Sequence, residues 1–296
     1  MDGRLKWFFA MLVCGVLLAL TGCHGDPSGM LNPKGYIAHE ERKLFFDTLA
    51  LMLIVVLPVI IMSFAFVYHY RASHRTRDYK PNWSHSYFLE ALWWGIPCAI
   101  IFALAWLTWN KTHELDPYKR IAGYNEPPLQ IQVIALPWKW LFIYPEQGIA
   151  TVDYLTIPAG RQVEFFITAD NVPMSAFFVP QLGSQIYAMA GMRTRLHLIA
   201  DAIGEMDGEN TQYNGDGFSE MHFKVYVVAP NLMQDWVDQI KKSPNELNDQ
   251  TYAKLLTPTI GAPPVFFGSI KPGLFQQVIT LYVNSTGEFH PRANLK

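Results

Sequence analysis

The side chains of this 296-residue chain that could do chemistry are few and unevenly spread. Its cysteines are Cys14, Cys23 and Cys98, all in or beside apolar segments, so the long polar half after residue 110 has no thiol. That half carries scattered soft donors instead: Met189, Met192, His197, Met206, Met221 and His222. Thioether and imidazole suit copper, but a purple or blue copper centre needs cysteine thiolate. These donors follow no tight ligand spacing, and methionine or histidine in a folded domain more often fills space or satisfies a backbone group. The remaining candidate is Glu90, inside the apolar run 89–97. An acid within a membrane segment is costly and a functional candidate by default. The bland alternative is an interfacial carboxylate reaching water from a helix end. No Gly-x-Ser-x-Gly elbow, Walker loop or zinc-protease histidine pair is present, so nucleophilic and phosphoryl chemistry find no support.

These residues must be positioned by a chain that lives partly in lipid. Apolar residues make up 50% and charged residues only 16%, and the net charge of -2 excludes the broad basic face of a nucleic-acid binder. At the start, Arg4 and Lys6 precede an apolar run, 7–20, that reads as a signal segment over residues 1–22. It ends in Leu20-Thr21-Gly22-Cys23, which resembles a bacterial lipobox and makes Cys23 the expected lipid-attachment site and mature N-terminus. Helix breakers around it argue against a buried cysteine in an uncleaved helix. Residues 48–68 and 88–109 each reach the length that crosses about 30 Å of hydrocarbon and read as transmembrane helices. Between them, the loop 69–87 carries Arg71, Arg75, Arg77 and Lys80 against Asp78, which places it in the cytoplasm. The N-terminal segment 23–47 and everything after the second span are then expected outside, as a lipidated N-terminus also demands.

Beyond residue 124 the pattern becomes that of an all-β sandwich. Strand-like runs are expected at 130–134, 151–157, 162–168, 195–199 and 222–228, separated by turn chemistry such as Pro158-Ala159-Gly160. Val163, Phe165 and Ile167, and again Phe223, Val225 and Val227, alternate with other residues as a strand with one buried face should. The sandwich occupies 124–230. After it, 231–296 shifts to helical spacing, with Leu232, Trp236, Val237 and Ile240 on one face and Asp235, Asp238, Lys241 and Lys242 on a solvated one. A second helix is expected within 245–256, and 273–283 is ambiguous between strand and helix.

Two spans, an exported sandwich and the runs WKWLFIYPEQG (138–148), FFVPQLGSQIYAMAG (177–191) and TRLHL (194–198) make the chain resemble subunit II of the haem-copper terminal oxidases. The similarity covers nearly everything from the lipobox to the end and is closest to the copper-less form in cytochrome bo-type ubiquinol oxidases. The resemblance implies a membrane-anchored all-β fold: a two-helix transmembrane hairpin, a cupredoxin-like β-sandwich and a short, aromatic-rich, partly helical C-terminal extension. In copper-bearing members a histidine stands where this chain has Ser175. Their other side-chain ligands, two cysteines, a histidine and a methionine, fall on Tyr213, Gly217, Met221 and Lys224, with a glutamate at Gly215. None of those cysteines is kept, so the loop reads as a relic in which Gly215 and Gly217 serve tight turns.

The functional expectation follows. A metal relay near the exported surface is needed when the donor is a one-electron protein such as cytochrome c. A quinol reaches the catalytic subunit through the bilayer and needs none. The resemblance therefore implies a non-catalytic subunit of a proton-pumping ubiquinol oxidase of the bacterial inner membrane, with its N-terminus and sandwich in the periplasm. No cofactor is expected in this chain. Haems and copper are expected in subunit I, the partners being that subunit and further small membrane subunits, without cytochrome c or nucleic acid. Glu90 matches a glutamate at the mouth of a proton channel. Trp138 and Trp140 match an aromatic electron path that has lost its source, and packing against the catalytic subunit becomes their expected role. Two other classes remain open at this stage: an anchored sandwich that binds or delivers copper, and a structural or sensory lipoprotein.

Overall fold

The computed structural model describes residues 29–71, 82, 84–124 and 126–283. The signal segment with its lipobox and Cys23, the basic residues Arg75, Arg77 and Lys80, and the last residues from 284 lie outside the described residues. Two long helices come first, α1 (Tyr36–His69) and α2 (Tyr87–Glu114), both long and apolar enough to cross a membrane. Each holds one internal proline, Pro58 or Pro97, as helices in lipid tolerate. Ser86 caps α2, its hydroxyl accepting from the Leu89 amide at 3.5 Å.

Both helices outrun the spans read from hydropathy, and the extra turns lie on the side of the sandwich. There Ala38 N donates to Leu182 O at 3.1 Å, and Glu41 accepts from the Ser184 amide at 3.1 Å and from its hydroxyl. Lys111 of α2 reaches Glu40 at 2.6 Å and Glu114 at 2.7 Å, and Tyr36 donates to Glu114 at 3.2 Å. These half-buried pairs tie the two outer helix ends to each other. Just before α1, Lys34 N donates to Gln181 O at 2.7 Å and Asp201 N to Lys34 O at 2.8 Å. The chain is thus fastened to the sandwich before it enters the membrane.

The sandwich is built from β1 (Leu129–Leu136), β2 (Lys139–Tyr144), β3 (Ile149–Val152), β4 (Tyr154–Pro158), β5 (Gln162–Ala169), β6 (Ser175–Val179), β7 (Gly183–Ala188), β8 (Thr194–Ile199), β9 (Gly204–Asn210) and β10 (His222–Val228). One sheet has the order β3-β2-β1-β5-β8, extended beyond β3 by β12 (Val265–Phe267), and the other runs β4-β10-β9-β6-β7. β1 lies parallel to β5 and β4 parallel to β10, while the other neighbours in the two sheets are antiparallel. The run expected as one strand at 151–157 is divided. Asp153 adopts a left-handed φ of 54°, and the chain leaves β3 in the first sheet to enter β4 in the second.

The core between the sheets holds Ile131, Val133, Trp140, Phe142, Phe165, Phe177, Phe223 and Val225. Phe177 and Phe223 stack at 5.3 Å between ring centres, and Trp140 meets both edge-on. A second core covers the outer face of the first sheet. The C-terminal extension, comprising α3 (Met233–Ile240), β11 (Glu246–Leu247), α4 (Asp249–Leu255), β13 (Ser269–Ile270) and α5 (Leu274–Thr280), supplies Leu247, Tyr252, Leu274, Phe275 and Val278 against Ile134, Leu136, Leu141 and Ile143. The ambiguous stretch at 273–283 is therefore helical in its first part, and the solvated charges of α3 are exposed as expected.

Polar groups lock this extension in place. Asn248 forms a capping box with Thr251 at the start of α4. At its end the buried Lys139 amine donates to Leu255 O at 3.1 Å and Thr257 O at 2.9 Å. Asp170, fully buried at the end of β5, accepts from the hydroxyls of Tyr252 and Tyr282, each at 2.6 Å. Tyr282 in turn accepts from the Asn171 amide at 2.9 Å.

Candidate functional site

The β1–β2 turn, the start of β6 and the loop 211–221 meet at one end of the sandwich. Asn214 in that loop is buried and donates through Nδ2 to Ser175 Oγ at 3.2 Å and to Met221 Sδ at 3.1 Å. Ser175 and Met221, two of the positions that the resemblance matches to copper ligands, are thus side by side with an amide between them. The donor set is a hydroxyl, a primary amide and a thioether. Without thiolate or imidazole it does not fit copper of the relay type. The other aligned positions do not join in. Tyr213 is exposed, and Lys224 pairs with Glu205 at 2.9 Å and Asp207 at 2.7 Å on the neighbouring β9. Asn214 itself is legible in the sequence only as a turn residue before Gly215.

Trp138 closes this end. It takes a left-handed φ of 59°, and its indole N–H donates to Asn214 O at 3.3 Å. Gly215, with φ +114°, is a turn glycine as expected. Gly217 lies in the same turn, which Phe218 N closes by donating to Gly215 O at 3.1 Å; its φ of -90° does not itself require glycine, and its missing side chain admits the Trp138 ring, whose Cγ would lie 2.4 Å from an added Cβ. The remaining sulfur and imidazole donors stay apart. Met206 is in the core, Met192 is exposed, His222 accompanies Ser219 O at 2.6 Å, and His197 accompanies Pro117 O at 3.0 Å. Among the described residues no group of three or more His, Cys, Asp or Glu side chains is placed to hold a metal.

Trp140 corrects the expectation that both tryptophans pack against a partner. It is fully enclosed in this chain's own core, because it points inward from β2 while Lys139 and Leu141 on either side point to the extension. Its backbone N–H donates to Asp153 Oδ1 at 2.7 Å, and Asp153 N returns a bond to Trp140 O at 2.9 Å. This exchange explains the break between β3 and β4. Burial pushes the Asp153 carboxyl up to about 7, against the opposing pull of the Trp140 amide and the Lys139 amine.

A stability prediction follows from that direction. With its folded pKa above its unfolded one, Asp153 favours the fold most when protonated, and that contribution is lost as pH rises from about 4 through about 7. Asp153→Asn keeps the Oδ1 acceptor and removes the charge. It is expected to be more stable than wild type by about 2 kcal/mol at pH 8 and no more stable at pH 4. Denaturant midpoints at the two pH values check this; parallel profiles for the two proteins would refute it.

Glu90 sits in the first turn of α2, its carboxylate half-exposed and 3.6 Å from His85 Nε2. A carboxylate there also complements the positive end of the helix dipole.

The family model described as the COX Aromatic Rich Motif matches residues 241–286. A Pseudomonas aeruginosa protein named cytochrome bo(3) ubiquinol oxidase subunit 2 is 48% identical over 94% of this chain and 81% of its own length. An Acetobacter aceti protein named ubiquinol oxidase subunit 2 is 44% identical over 90% of this chain and 86% of its own. Among solved structures, the periplasmic domain of subunit II of cytochrome oxidase from Bradyrhizobium japonicum matches 40% of this chain and 96% of its own, at 22% identity and a TM-score of 0.37.

Proposed function

The chain belongs to the ubiquinol oxidase subunit 2 family, and on that premise we propose that it is the non-catalytic subunit II of a complex in which quinol delivers electrons without a copper relay. The observation that carries the reading is the Asn214 amide bridging Ser175 and Met221 where copper-bearing members place ligands. Ubiquinol reaches a catalytic subunit through the bilayer, and the haems and copper that reduce oxygen to water belong to that subunit. The complex sits in the bacterial inner membrane, with the sandwich and the lipid-bearing Cys23 on the periplasmic side and the loop 69–87 in the cytoplasm. Protons are drawn from the cytoplasm.

Within this reading Glu90, at the cytoplasmic start of α2, helps protons enter the catalytic subunit, and the exposed part of Trp138 packs on that subunit. Glu90→Ala is expected to slow quinol-driven oxygen uptake several-fold while the complex still assembles. Unchanged turnover in assembled complex would remove Glu90 from the proton path.

The test of the function itself is to purify the chain with its native partners in mild detergent and to compare oxygen uptake on a ubiquinol with uptake on reduced cytochrome c. Uptake on quinol alone is the expected result. Uptake on cytochrome c would require another electron entry, and absence of both uptake and haem would remove the chain from the oxidase.

A further inference from the structure

Where the outer ends of α1 and α2 meet the sandwich there is a cavity of about 280 Å³, sheltered by the linker 115–122 and by β8. Glu114, at the end of α2, lies five residues beyond the span boundary at Trp109. At 1.5 Å per residue that is about 8 Å, the depth of a headgroup layer. The cavity's apolar wall includes Ile37, Leu115 and Leu196. Its charged wall is asymmetric in what is already engaged. Glu114 is held by Lys111 and Tyr36, Asp116 accepts from the Tyr118 amide at 3.0 Å, and Lys119 donates to His113 O at 2.9 Å. Arg120 is exposed and has no hydrogen bond or ion pair among the described residues. His197, buried at the cavity's inner side, holds Nε2 3.5 Å from Glu164 Oε1 without a hydrogen bond.

We propose that this cavity binds the phosphate headgroup of a phospholipid from the leaflet on the sandwich side, with the Arg120 guanidinium as its cation. A planar guanidinium matches phosphate oxygens two at a time, and a headgroup amine would find the Asp116 carboxylate on the same rim. The apolar wall receives the glycerol and the first methylenes, and the lipid seals the junction between hairpin and sandwich. This goes beyond the electron route and does not depend on the donor being quinol.

The test uses the whole complex in nanodiscs of phosphatidylethanolamine and phosphatidylglycerol. On gentle ejection into a mass spectrometer this subunit is expected to retain a phospholipid, and Arg120→Gln to retain it about tenfold less well, as loss of a charge-assisted hydrogen bond implies. Equal retention by wild type and variant would overturn the proposal. Displacement of the lipid by millimolar inorganic phosphate would show a free-anion site and overturn the lipid source. If the variant fails to assemble, wild-type complex with a headgroup-diazirine phospholipid decides: crosslinks in 115–122 support the site, and their absence refutes it.

Discussion

Asp170→Ala is expected to lower the stability of the folded chain by about 4 kcal/mol, because two hydroxyl-to-carboxylate hydrogen bonds, each worth about 1.5–3 kcal/mol, disappear at once. Tyr252 and Tyr282 come from distant parts of the extension and converge on one fully buried carboxylate. Removing that acceptor takes a hydrogen bond from each buried hydroxyl, and it also loosens Asn171, whose amide donates to Tyr282. Tyr252→Phe removes one of these bonds and should cost about 2 kcal/mol. Denaturant unfolding in detergent measures the ranking, and limited proteolysis adds a location: the variant should be cut first within residues 241–283. A loss below about 1 kcal/mol for Asp170→Ala would mean that the apolar contacts of the second core hold the extension unaided.

Trp140→Ala and Trp138→Ala are expected to fail in different ways. Trp140 is enclosed between Phe177 and Phe223, so truncating it opens a large cavity and should cost about 4 kcal/mol. Its indole N–H has no hydrogen-bond partner among the described residues, so Trp140→Phe should be far milder, losing some packing but no bond. Trp138 is only partly buried and covers the loop beside Gly217. Its truncation should cost about 1–2 kcal/mol and raise amide hydrogen exchange across 213–221 while the core amides stay protected. Equal losses in the two tryptophan-to-alanine variants, or unchanged exchange in the loop, would contradict this division between core and cover.

The sequence made some of this visible and hid the rest for physical reasons. β10 alternates cleanly because its outer face meets water: His222 and Lys224 are exposed while Phe223 and Val225 are buried. β2 shows no alternation, since the extension buries its second face, and a strand covered on both sides reads as a continuous apolar run. The division at Asp153 escapes any periodicity, because it depends on a side chain accepting from a backbone amide of β2, thirteen residues back across the hairpin. The spans were legible from hydropathy, but the outer turns of α1 are polar and amphipathic, so their helicity depends on contact with the sandwich. At the relic site, the missing cysteines could be read directly. The replacement could not, because nothing in an Asn-Gly pair announces that its amide will bridge a thioether seven residues on and a serine 39 residues back.

The unbroken course of α1 has a mechanical consequence. Twelve residues separate its start at Tyr36 from the span boundary at 48, about 18 Å measured along the helix's own axis, so a stiff post joins the sandwich to the span. A coil of the same length would let the domain wander over the membrane and sample many heights and orientations. With the post fastened at its head by Lys34, Ala38 and Glu41, any tilt of the hairpin is passed to the sandwich undiminished, and a partner bound to one moves with the other.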